Sequence, residues 1–256
     1  MGLISRRLGV VDLARTSEFY VNCFGFSRDG DVVVLEGKDV GAVGAQATMQ
    51  RLVDANGAVL ELIHLDQPKT TCQPKVRTIA HLGLTHLAFL IDAIDVTRPK
   101  VLESGGKVLD HTRVNMLGEW NGMYVSDPDG TRIEIVEGTG APFMLSHSGL
   151  TVRNLEESIE FYKQFGFDVA ESYDMREPQG WMAQINEEPG IALFAQMMRD
   201  AQGHTLQLLD ISVPDFSRDS SDLPFDSLGF FELVIDSTGA PIPVRDPQGV
   251  RLRSPD

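Results

Sequence analysis

The chain has 256 residues, 42% of them hydrophobic and 23% charged, with a formal net charge of −15. That is one large domain or two small ones, long enough to bury a core without disulfides. The acidic balance argues against nucleic acid as a partner, and no apolar run reaches the ~20 residues of a membrane span. The first residues, Met1 to Arg7, lack the long apolar segment of a secretory signal, and Cys23 and Cys72 cannot build a disulfide framework. Both features fit a cytoplasmic protein.

In chain order, a short apolar strand ends at Asp12, a residue able to cap the helix that follows. That helix presents Phe19, Tyr20 and Phe24 to one core, and Gly25 stops it in a left-handed cap. Asn56-Gly57 is a turn feeding a strand over 58–63. A second unit opens with a strand over 85–92, and Pro99 is placed in the first turn of its helix. Asp127-Pro128-Asp129-Gly130 then feeds a strand over 131–136. A third unit repeats the first. Asn154 stands before Phe161-Tyr162 as Asp12 stands before Phe19-Tyr20, Phe165-Gly166-Phe167 echoes Phe24-Gly25-Phe26, and Gly203 leads into a strand over 204–209. A fourth begins near Phe230 and runs through Glu232 to Asp236, then passes directly to the turn Asp246-Pro247-Gln248-Gly249 and a last strand.

The units span 3–66, 84–137, 145–212 and 228–255. The first three read as strand, helix and further strands; the fourth lacks the helix and middle strands. Four residues past each turn glycine stand Glu61, Glu134, Gln207 and Arg253, at equivalent places on four strands. The opening strands align likewise, with Ser5, His86, His147 and Phe230 at matching positions.

This pattern resembles the vicinal oxygen chelate superfamily, which includes glyoxalase I, methylmalonyl-CoA epimerase, extradiol dioxygenases, and fosfomycin and bleomycin resistance proteins. The resemblance rests on His86, the turn at Asp127, Glu134 and the two Phe-Tyr…Gly-Phe helices. It implies an α+β fold of βαβββ units pairing into cupped mixed sheets, here three full units plus a truncated fourth. It implies one divalent metal ion (Fe, Mn, Co, Ni or Zn) held by first-strand and last-strand side chains. Taken in sequence order, residues 1–137 form one pair of units and 138–256 another, which puts Glu61 beside His86 and Glu134. Pairing 84–137 with 145–212 instead gathers His86, Glu134, His147 and Gln207 on one ion. The ligand chemistry favours the second arrangement, because Phe230 cannot ligate and Arg253 is a cation.

The activity implied is that of an isomerase or lyase chelating a small oxygenated substrate, with Glu134 as ligand and base and Tyr124 beside it. Ring cleavage by an extradiol dioxygenase is the second expectation. Residues 123–134 fit the latter half of that signature, but Asn115, Met116 and Leu117 occupy the window of its acid-base histidine. A metal-free drug binder is the third. Trp120 and Asn121, in a glycine-flanked loop, and Arg113 are candidate substrate contacts. The expected partner is a small molecule, with neither nucleic acid nor membrane, and the half-unit's exposed sheet edge invites a homodimer.

Overall fold

The computed structural model describes residues 1–69, 77–138, 143–212, 228–238 and 241–255. Cys72 lies outside them. The first unit runs β1 (Gly2–Gly9), α1 (Leu13–Phe24), β2 (Ser27–Arg28), β3 (Val33–Glu36), β4 (Gln46–Val53) and β5 (Val59–Gln67). The second runs β6 (Gly83–Ile91), α2 (Ile94–Glu103), β7 (Lys107–Val108), β8 (Val114–Met116), β9 (Trp120–Ser126) and β10 (Arg132–Glu137). The third holds β11 (Met144–Val152), α3 (Leu155–Lys163), β12 (Phe167–Met175), α4 (Gly180–Asn186), β13 (Ala192–Asp200) and β14 (Thr205–Ser212). The fourth contributes β15 (Gly229–Asp236) and β16 (Arg251–Arg253).

Helix α1 forms where the sequence places it. The Asp12 side chain accepts from the Arg15 N–H, and Gly25 closes the helix at φ 69°. Its apolar stripe, with Phe19, Tyr20, Cys23 and Phe24 buried, enters the core, where Phe24 stacks on Phe89 of β6 at 4.2 Å. Asn154 caps α3 in the same way. Two local expectations need correction. Gly166, though at φ 84°, lies beyond α3, which closes on Gln164. Pro99 sits inside α2 rather than in its first turn, because the helix already starts at Ile94 after a side chain, Ala93, that cannot cap it.

Two mixed sheets carry the strands, and their boundary does not follow a cut at residue 137. One sheet has the order β16-β15-β1-β5-β4-β2, with β3 on β4. The other has the order β12-β13-β14-β11-β6-β10-β9-β7, with β8 on β9. The second and third units thus share a sheet through the antiparallel pair β6–β11, and the first and fourth share the other through β1–β15. The first and second units lie in different sheets, as do the third and fourth.

Four equivalent turns bind the sheets together. Asp54, Asp127, Asp200 and Asp246 each stand three residues before a turn glycine. In each, Oδ1 accepts two backbone N–H groups of its own turn, as Asp54 does from Asn56 and Ala58. The second oxygen reaches across to another unit. Asp54 accepts from the Leu145 N–H and Asp200 from the Leu3 N–H; Asp127 accepts from the Tyr20 hydroxyl and Asp246 from that of Tyr162. The tyrosine of each Phe-Tyr pair therefore anchors a turn of the next unit. Between the sheets Arg6 is fully buried, its Nε 2.9 Å from Ser148 Oγ. Burial lowers its pKa to about 10 against the opposing pull of Asp54 and Asp200.

Candidate metal centre

His86 stands on β6, Glu134 on β10, His147 on β11 and Gln207 on β14, four neighbouring strands of one sheet. Registers bring them together. Glu134 pairs with Ala88, Ala88 with His147, and Gly149 both with His86 and with Gln207. His86 Nε2 lies 3.7 Å, and His147 Nε2 3.6 Å, from the same atom, Glu134 Oε2. Ligand atoms of all three residues lie within 4.8 Å of one another. Gln207 lines the same cavity and interacts with the His147 ring.

The electrostatics are those of a ligand set. Both Nε2 atoms are buried and have no hydrogen-bond partner, although such atoms ordinarily find one. The other nitrogens lie beside hydroxyls, His86 Nδ1 at 3.0 Å from Thr85 Oγ1 and His147 Nδ1 at 3.3 Å from Ser146 Oγ. That fixes each ring and turns Nε2 inward. Burial, with the His147 ring as a lesser cause, holds His86 well below its ordinary pKa, and burial pushes His147 down to about 4. Burial raises Glu134 to about 7. Two neutral imidazoles and a carboxylate awaiting a positive charge fit a divalent cation.

One glycine makes room for this. A Cβ built on Gly149 would collide with the His86 ring at Cε1 and Nδ1, so the ring occupies space that any side chain would fill. The corresponding position in the other sheet is Arg7, which faces Glu232 as Gly149 faces His86. Glu232, not Phe230, is therefore the fourth-unit counterpart of His86. The opening strands share their start at positive-φ glycines, Gly83 and Gly229, while β15 is shorter at its far end, so aligning Asp236 with Asp92 misses the register. The Arg7 guanidinium fills the equivalent centre. Its Nε is 2.7 Å from Glu61 and its Nη1 3.1 Å from Glu232, with Ser5 Oγ 2.7 Å from Glu61 and Arg253 Nε 3.0 Å from Glu232. Glu61 is committed there and does not meet His86 or Glu134.

The centre opens into a cavity of about 460 Å³. Tyr124 lines it, edge-on to His86 at 5.8 Å with the Arg132 guanidinium 3.9 Å from its ring centroid. Burial raises the Tyr124 pKa, so the phenol stays neutral. Trp120 lines the mouth and meets Tyr173 at 6.5 Å. Asn121 does not line the cavity; its amide donates to Glu137, which does. Arg113 is held outside by Asp95 at 2.7 Å. Sequence reasoning passed over α4, which supplies Trp181, Met182, Ile185 and Asn186 to the wall. The available signal was Gly180-Trp181, a tryptophan beside a glycine like the one near Trp120.

The family model for the Glyoxalase/Bleomycin resistance protein/Dioxygenase superfamily matches residues 4–135 and 144–253. Glyoxalase I from Zea mays is similar in structure at a TM-score of 0.62 and 19% identity, over 91% of this chain and 73% of that one. The V278E mutant of the maize enzyme gives 0.65 at 18% identity, over 98% and 91%. A putative dioxygenase from Bacillus subtilis subsp. subtilis str. 168 gives 0.55 at 11% identity, over 99% and 84%. At these identities the likeness is one of fold. No curated protein matches the sequence.

Proposed function

This chain belongs to the Glyoxalase/Bleomycin resistance protein/Dioxygenase superfamily, and on that footing we propose that it is a metal-dependent isomerase or lyase of a small oxygenated molecule. The observation that carries this is the pair of buried, unpartnered Nε2 atoms of His86 and His147 turned toward Glu134. His86, Glu134 and His147 would hold the ion, with the Gln207 amide oxygen as a neutral fourth donor. A first-row divalent ion bound there supplies Lewis acidity to two adjacent substrate oxygens. Glu134 moves the proton: it carries no protein hydrogen bond among the described residues, whereas the other carboxylate lining the cavity, Glu137, already accepts from Ile94 and Asn121. Tyr124, kept neutral, is a fixed hydrogen-bond donor beside His86 and not a base.

Ring cleavage is the second reading, favoured by two histidines, one carboxylate and a tyrosine at one cavity. Against it, His111 is occupied with Glu187 at 2.7 Å, and the histidines lining the cavity among the described residues are His86 and His147.

Elemental analysis after reconstitution tests the proposal. One metal ion per chain is expected, with more than tenfold weaker binding in His147→Ala and Glu134→Gln and no change in Glu61→Ala. Deuterium exchange at a carbon beside a carbonyl supports proton transfer, while oxygen uptake with catechols in its place supports ring cleavage. A chain that takes up no metal from Fe, Mn, Co, Ni or Zn overturns both.

A further inference from the structure

We infer that the cavity takes an uncharged, largely aromatic or alicyclic molecule bearing two adjacent oxygens, and rejects conjugates that carry carboxylates or phosphates. This rests on the reading of the cavity as the substrate site. Apart from the ligand set, Glu137, Ser146, Asn186 and two tyrosines, its wall is apolar and soft, with Met116, Met175, Met182 and Met197 alongside Trp120 and Trp181. Thioether and ring surfaces adapt to flat apolar bodies and give little to a hydrated anion. At about 460 Å³ the space lies within the range that encloses a drug-sized molecule.

Charge decides against anionic conjugates. Among the described residues no lysine or arginine lines the cavity, and its carboxylates are Glu134 and Glu137. Arg6, behind His147, is buried between the sheets and does not line the cavity, and three further cations are engaged elsewhere. Arg113 is paired with Asp95 and Arg132 with Glu187, while Arg176 lies over Phe194 on the face of β13 opposite Leu193 and Met197. A carboxylate or phosphate on the part of a conjugate held away from the ion would lose water and meet no lysine or arginine among the described lining residues, against a chain of net charge −15.

The cavity also carries its own reporter, because Trp120 and Trp181 are the two tryptophans of the chain. Calorimetric titration of the full chain, metal-free and Zn²⁺-loaded, with 4-tert-butylcatechol and with S-hexylglutathione tests the inference, with tryptophan emission recorded in parallel. The catechol should bind the loaded chain at least tenfold more tightly than the glutathione conjugate and alter the emission. Trp120→Ala, at a half-exposed position whose loss leaves the core intact, should weaken the catechol about tenfold with zinc stoichiometry unchanged. Equal or tighter binding of the conjugate, catechol binding with unaltered emission, or unchanged affinity in Trp120→Ala overturns it. Zinc uptake without catechol affinity also overturns it, while leaving the metal proposal standing. Catechol binding to a chain that takes up none of Fe, Mn, Co, Ni and Zn supports it and removes the metal proposal instead.

Discussion

At the scale of single residues, the centre depends as much on an absent side chain as on those present. Gly149 does not need an unusual backbone angle; it is required because His86 occupies the volume its Cβ would take. Gly149→Ala should therefore push the ring off its line to Glu134 and lower metal affinity. Overpacking a filled site costs about 1–3 kcal/mol, so urea denaturation should show a loss of that order. Retention of wild-type metal affinity in this variant would mean that the ring has another productive position. His86, Glu134, His147 and Gln207 were legible in the sequence because the turn glycines and opening strands fix their equivalence, and alternation puts equivalent residues on equivalent faces. Gly149 was not legible as a site residue. Its importance is a contact between neighbouring strands, and strand register is not written along either one.

At the scale of elements, the Asp-anchored turns join units that do not follow one another in a sheet. Tyr162→Phe removes one such link and leaves Asp246 Oδ2 without its hydroxyl, at a cost of about 1–3 kcal/mol, measurable by thermal or chemical denaturation. Asp127 yields a pH signature. Burial, and next to it the neighbouring Asp129, raises its carboxyl from the ordinary 3.8 to about 6. Between those values the folded chain holds a proton that the unfolded chain has released. Stability from this group is thus fully present below about pH 4 and lost as pH rises through about 6. Relative to Asp127→Asn, the wild type should gain about 1 kcal/mol on going from pH 7 to pH 5. A gap that narrows or inverts over that interval contradicts the assignment. The turn glycines were visible in the sequence, and so was Asp127. Asp54 and Asp200 were not picked out, because Ala55 and Ala201 stand where Pro128 and Pro247 mark the other two turns. The cross-unit partners of all four were hidden, since sequence spacing does not say where a second carboxylate oxygen points.

At the scale of the whole molecule, the two sheets give the same site in two chemical versions. The short fourth unit was legible as a truncation, and Arg253 as a non-ligand. What occupied the space was not, because Arg7 and Glu232 become partners only through the β1–β15 register. Removing Arg7 should leave Glu61 and Glu232 buried without their central cation. Arg7→Met is expected to lose about 3–5 kcal/mol in urea denaturation, with the metal content of the other sheet unchanged. A matching loss of metal would mean that the sheets are coupled more tightly than their separate strand orders imply.

The Arg7 centre has a consequence for how the protein responds to its surroundings. An exchangeable ion comes and goes with supply, so a chelator should empty the His86–Glu134–His147 centre and lower the melting temperature by the amount that binding had added. A guanidinium is part of the chain and cannot be stripped. The Arg7 centre should stay assembled in buffer and in chelator alike, giving every metal titration an internal baseline. Starvation for metal would then silence one half of the molecule and leave the other half holding it in shape.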